Sequence, residues 1–226
     1  LTLITRTAVI RMLQQMDGIK ALLVDEATKI ILGSSCTGTD LAEQGVLGGL
    51  HLLPEARTSA GSAAQHRRHV RAVVFVRPTE ANIERLEAEL RRPRYAQYLI
   101  CFCNRHERDV QSFMTRLAEA DVFELVRSVT EDFSEFVPVS PELFSLEVEP
   151  ESEPHYSDLV RRLQSVLLSL NTRPTIRYSA GSDDALAIAT KLSKSFREDG
   201  WVRDAMRETP QPRETLLLII DRHDDA

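Results

Sequence analysis

Acidic residues stand where two apolar runs end. Leu216-Leu217-Leu218-Ile219-Ile220 leads into Asp221-Arg222-His223-Asp224-Asp225, and Ile19 to Val24 leads into Asp25. In α/β sheets, ligands gather at the carboxyl ends of strands. Several carboxylates there have the hard oxygen chemistry that holds magnesium, which points to a magnesium-dependent phosphotransfer or hydrolase domain. The same residues serve equally as turn formers and helix caps. No P-loop, glycine-rich phosphate fingerprint or second ligand cluster accompanies them. Cys101-x-Cys103, with His106 nearby, would turn both sulfurs to one face of a strand, but no second pair completes a metal site, and buried structural thiols are expected. Ser34-Ser35-Cys36 and the stretch from Ser59 to Ser62 offer nucleophiles without a base close by in sequence, and Trp201 is expected to pack. On this reading no catalytic residue, cofactor or metal site is assigned.

The elements that would carry these groups are organised around Arg71 to Asn104. Ala72 to Val76 is a continuous apolar run, stopped by Pro78, which has no amide for a sheet ladder. Thr79 reads as an N-cap. Ile83, Leu86 and Leu90 follow at the spacing of one helix face, and Pro93 ends that helix. Tyr98 to Cys103 is a second apolar run. Unbroken apolar runs suit strands covered on both faces, so the stretch predicts strand–helix–strand in a parallel sheet.

Around this unit the pattern predicts a helix from Leu1 to Met16, a turn at Asp17-Gly18 and a strand from Ile19 to Val24. Lys29 to Leu32 is expected as a short partner segment. Thr39 and Asp40 would cap a helix through Leu47, ended by Gly48-Gly49, with Leu50 to Leu53 a strand and Thr58 to Gln65 an exposed loop. Asp109 would cap a helix containing Val110, Phe113, Met114 and Leu117. After the break at Ala120-Asp121, the spacing of Leu125, Val126, Val129 and Phe133 predicts a second helix. Phe136 to Val139 and Leu143 to Val148 read as extended, and the acidic stretch from Glu149 to Pro154 as a linker. Beyond it come a helix from Leu159 to Leu170, a strand from Thr175 to Tyr178, a helix capped by Ser182, a loop at Pro210 and Pro212, and the apolar strand that enters Asp221. That last strand reads as buried, which predicts that the natural protein continues past Ala226.

The 226 residues suffice for one large domain or two small ones, and 42% hydrophobic residues suffice for a substantial core. A net charge of -6 argues against a general nucleic-acid binder. Charge is segregated: Arg67 to Arg108 holds ten Arg and five Glu, whereas Glu119 to Asp158 holds twelve acidic residues and one Arg. Such runs are most simply solvated faces and loops. Three cysteines, an odd number with two inside an apolar run, fit a reducing, cytosolic setting. No run of about 18 apolar residues predicts a transmembrane helix.

Several stretches resemble the SM (Sec/Munc-type) family of syntaxin-binding vesicle-fusion proteins. They are Ala21–Ser34 (ALLVDEATKIILGS), Val74–Asn104, Arg116–Val126 (RLAEADVFELV), Pro141–Val148, Ser165–Tyr178 and Leu216–Ala226, and they occur in the family's order. The resemblance implies an α/β fold: residues 1–135 as a parallel-sheet domain with flanking helices, and residues 136–226 as the first part of a second α/β domain, without the family's helical insertion. It implies a non-enzymatic, cytoplasmic protein, peripheral on Golgi and endosomal membranes. Its partner would be a syntaxin-type SNARE of that route, bound through the syntaxin's N-terminal peptide, and the SNARE complex. The family's peptide pocket lies on the two helices expected after Asn104. By that resemblance its positions are Met114, Leu117, Ala118, Val126, Val129 and Glu131, with Glu131 facing a basic residue and Met114, Val126 and Val129 an apolar one. Gly48 to Gln65 departs from the family's acidic pattern, and Glu149 to Tyr156 is shorter.

Overall fold

Along the run from Arg71 to Val76, successive side chains point to opposite faces, and Val73, Val74, Phe75 and Val76 are all fully buried. Such a strand needs a layer on each side. The computed structural model describes residues 1–53, 69–105, 110–146, 156–207 and 215–221, and it supplies both layers. Strands β1 (Lys20–Val24), β2 (Val46–Leu52), β3 (Arg71–Val76), β4 (Tyr98–Phe102) and β5 (Val126–Glu131) form a parallel sheet in the order β2-β1-β3-β4-β5. Its helices are α1 (Thr2–Gln14), α2 (Glu26–Ser35), α3 (Gly38–Glu43), α4 (Glu80–Arg91) and α5 (Val110–Ala120). One core joins Val9 and Leu13 of α1 and Leu32 of α2 to Leu22, Val73, Phe75, Leu99 and Cys101. The other joins Ile83, Leu86 and Leu90 of α4 and Phe113 and Leu117 of α5 to Leu23, Val74, Val76, Ile100 and Phe102. The expected α/β parallel sheet with flanking helices is the fold of this chain, and the β3–α4–β4 unit lies where the sequence places it. Thr79 caps α4 by accepting from the Asn82 amide.

Four local expectations are corrected. Lys29 to Leu32 is not a partner segment but the middle of α2, because Asp25 and Thr28 form a reciprocal capping box at its start. Thr39 and Asp40 do not cap a helix through Leu47. Thr37 is the cap, Asp40 completes its box, and α3 stops at Glu43. Gly48 and Gly49 lie inside β2 rather than ending a helix. One residue of β1, Ala21, there faces three of β2, Leu47 to Gly49, between Lys20 opposite Val46 and Leu22 opposite Leu50. Both glycines absorb the irregularity at positive φ. Finally, the second helix expected over Leu125 to Phe133 is the edge strand β5.

Contacts divide the chain into Leu1–Leu143 and Phe144–Ala226. The first unit also contains the short β6 (Val137–Pro138). The second contains β7 (Phe144–Ser145), α6 (Tyr156–Ser169), β8 (Thr175–Tyr178), α7 (Asp183–Glu198), α8 (Gly200–Arg207) and β9 (Leu216–Ile219). Its core holds Leu163, Val166 and Leu167 of α6, Ala189, Leu192 and Phe196 of α7, and Val202 of α8. Ser182 caps α7 as expected. β8 and β9 pair in parallel. β9 is not buried on both faces: Leu216 and Leu218, and Ile220 just beyond it, are exposed, while Leu217 and Ile219 are half-buried, so among the described residues one face of the strand lacks a covering layer. The expected linker from Glu149 to Pro154, the loops at Thr58 to Gln65 and at Pro210 and Pro212, and the cap Asp109 lie outside the described residues. No helix among the described residues is long and apolar enough to cross a membrane.

Candidate functional site

α5 and β5 are joined by a turn whose backbone is tied down. The Asp121 amide donates to the Leu117 carbonyl (3.0 Å). The Asp121 carboxylate then accepts from the amides of Leu125 (2.8 Å) and Val126 (2.9 Å). Glu124 takes the left-handed conformation at φ 54°, and Val122 and Phe123 stand out at 72% and 58% exposure. The Tyr98 amide donates to the Leu125 carbonyl (2.9 Å) and starts the β4–β5 ladder. Arg116 holds α5 to α4 through Glu87 (2.7 Å) and Glu80 (2.5 Å).

The ladder then slips. Tyr98 pairs with Val126, but Leu99 pairs with Ser128, so Arg127 is an extra residue in β5. Beyond it Ile100 pairs with Val129 and Phe102 with Glu131. Tyr98, Ile100 and Phe102 belong to the core shared with α4 and α5. Val126, Val129 and Glu131 therefore lie on the same side of the sheet as α5, although Val126 and Val129 are three residues apart. Met114, Val126 and Val129 are half-buried against that core. Leu117, 3% exposed, belongs to the core beneath them, and Ala118 is exposed on α5. The six expected positions are thus divided between a helix and the edge of a sheet rather than two helices: Met114, Val126 and Val129 pack on one core, Glu131 shares the strand side of Val126 and Val129, Leu117 lies in the core itself, and Ala118 is exposed.

Glu131 closes one end of this face. Its side chain is 24% exposed, and Arg105 Nη1 stands 3.6 Å from its Oε2. Burial pushes the Glu131 carboxyl above the usual range, and the Arg105 charge pulls the other way. Nothing in sequence spacing pairs Arg105 with Glu131, and the exposed Val122-Phe123 pair is likewise visible only once the turn is known. The neighbouring Asp132, also raised chiefly by burial, accepts from Ser134 Oγ (2.6 Å). Its amide donates to the Phe102 carbonyl (2.8 Å), which fixes the end of β5.

The chemical candidates are placed otherwise. Asp25 Oδ1 accepts from the Thr28 amide (2.8 Å). Its Oδ2 accepts from the Arg77 amide (2.9 Å), Arg77 Nε (3.3 Å) and Asn82 Nδ2 (2.6 Å). Asp221 accepts from Ser182 Oγ (2.7 Å), which itself caps α7. Arg222, His223, Asp224 and Asp225 lie outside the described residues, as do His106, Ser59 and Ser62. Among the described residues no group of three or more His, Cys, Asp or Glu is arranged to hold a metal. Cys101 and Cys103 share one core face, as their alternation predicts, and burial pushes the Cys101 thiol up to about 12. The hydroxyls of Ser34 and Ser35 both donate to the Ile31 carbonyl of their own helix.

The Sec1 family model matches residues 20–226. The vacuolar protein sorting-associated protein 45 homolog of Arabidopsis thaliana is 32% identical over 229 residues, covering 95% of this chain and 38% of that protein. The Homo sapiens vacuolar protein sorting-associated protein 45 is 33% identical over 216 residues, covering 92% of this chain and 35% of that protein. Among solved structures, the SM protein Vps45 in complex with the Qa SNARE Tlg2 superposes with a TM-score of 0.84 at 26% identity, covering 97% of this chain and 39% of that one. The chain therefore spans less than two-fifths of the length of these relatives.

Proposed function

The chain belongs to the Sec1 family, and from that membership we propose that it binds a syntaxin-type SNARE through the SNARE's N-terminal peptide, in the groove between α5 and β5. The role is that of a non-enzymatic regulator of vesicle docking and fusion on the Golgi–endosome and vacuolar route, held at those membranes by its partners. Residues 1–135 are the peptide-binding domain, and residues 136–226 begin the second domain. The relatives' names support the vacuolar sorting route, and the Vps45–Tlg2 complex supports the partner class.

The observation that carries the reading is the half-buried row of Met114, Val126 and Val129 with an acidic residue, Glu131, at its end. An extended or short helical peptide with one bulky apolar side chain and one basic side chain matches that layout. Burying one Leu or Phe side chain is worth about 1.5–3 kcal/mol, whereas micromolar binding needs about 8 kcal/mol. The anchor must therefore be joined by the charge contact and by backbone bonds. β5 lies at the edge of the sheet, where such bonds are available to a peptide.

Calorimetric titration of the chain with the N-terminal peptide of Tlg2 tests this. Micromolar binding is expected, and Val129→Arg weakens it on the order of ten- to a hundredfold, the loss of one apolar anchor. Circular dichroism unchanged by the substitution separates a lost site from a lost fold. Equal binding by a folded Val129→Arg variant would place the peptide elsewhere.

A further inference from the structure

Glu131 already has a cation. Arg105 follows β4, and its backbone is anchored. Its amide donates to Asn104 Oδ1 (2.8 Å), and the buried Asn104 donates through Nδ2 to the buried Glu135 (2.8 Å). From that fixed point the guanidinium reaches across the ladder from the end of β4 to the end of β5. The 3.6 Å separation is ion-pair contact but too long for a good hydrogen bond. The two side chains are 35% and 24% exposed, so the pair is neither locked nor fully screened.

We propose that Arg105 is a specificity-determining residue of the groove, an internal counter-ion that an incoming peptide cation must displace from Glu131. It sets how strongly the groove favours a basic residue over a neutral one. The proposal rests on the peptide reading of the α5–β5 groove and adds a term to it. Two cations cannot share one carboxylate without repelling each other. A half-exposed pair such as this one is weak, so Arg105 acts as a graded competitor and not as a gate. It also lowers the negative potential that the peptide meets at the end of β5, an effect strongest at low salt.

The test compares the full chain with Arg105→Ala and Arg105→Gln, titrated at low and high salt with two synthetic probes. One probe is the N-terminal peptide of Tlg2, and the other is the same peptide with its basic residues replaced by glutamine. Removing Arg105 is expected to tighten the basic peptide by about two- to fivefold at low salt. It should leave the neutral peptide unchanged and have no effect in a Glu131→Gln background. A basic peptide bound equally or more weakly by both Arg105 variants overturns the proposal, as does an equal change for both peptides. If neither peptide binds the unaltered, folded chain, the groove reading itself fails and takes this proposal with it. That result is distinguishable, because all variants and both probes are then silent.

Discussion

One carboxylate, that of Asp25, ties three elements together. It caps α2, it pairs with Arg77 at the end of β3, and it accepts from Asn82 in the first turn of α4. Burial works against its charge. The amides of Thr28 and Arg77, the Arg77 guanidinium and the Asn82 amide group outweigh that and hold the carboxyl below the usual range. Removing it takes away the α2 cap and the acceptor shared by the Arg77 amide, the Arg77 guanidinium and Asn82, so Asp25→Ala is expected to cost on the order of 3 kcal/mol at neutral pH, read from urea denaturation. The folded-state pKa lies below the unfolded one. The contribution is therefore complete above the unfolded value of about 3.9 and is lost as pH falls through the folded value. The gap between unaltered chain and Asp25→Ala should be constant near neutrality and shrink in acid below about pH 4; a gap that grows in acid would contradict this assignment. An acid after an apolar run was legible in the sequence, but its task was not. Its partners Arg77 and Asn82 are 52 and 57 residues away, and only the sheet order brings them together. The Arg105–Glu131 pair was hidden for the same reason.

At the scale of elements, what the sequence showed best was the unit with local signals: an apolar run, a stop at Pro78, a cap at Thr79 and a 3.6-residue periodicity yield β3, α4 and β4. Where β5 lies, the same logic misleads. Leu125, Val126, Val129 and Phe133 have helical spacing, yet the extra residue Arg127 shifts the strand's alternation by one and produces the same spacing in extended chain. The family-derived positions on β5 still share one side of the strand, because the bulge returns Val129 and Glu131 to the side that Val126 occupies. Glycines similarly disguise β2, whose bulged stretch reads as the end of a helix. Just before it, Gly45 sits at φ +81°, and a Cβ there would approach the Gly18 carbonyl oxygen to 2.5 Å. Its own carbonyl accepts from the Lys20 amide (2.9 Å), where β1 begins. Gly45→Ala is therefore expected to destabilise the chain by about 1–3 kcal/mol, with a lower urea midpoint and an unchanged slope. An unchanged midpoint would mean that this turn carries no such constraint.

For the whole molecule, the proposed groove and its counter-ion all lie within Leu1–Leu143, while the chain spans 38% of its Arabidopsis relative. Peptide recognition as proposed thus draws on residues of that unit alone. Hydrogen–deuterium exchange of the full chain with and without saturating Tlg2 N-terminal peptide tests the location most directly. Slowed exchange is expected in Val110–Ala120 and Val126–Glu131, with α1, α2 and the second unit unchanged. Binding that slows exchange only in the α1–α2 face or in Phe144–Ala226 would contradict it.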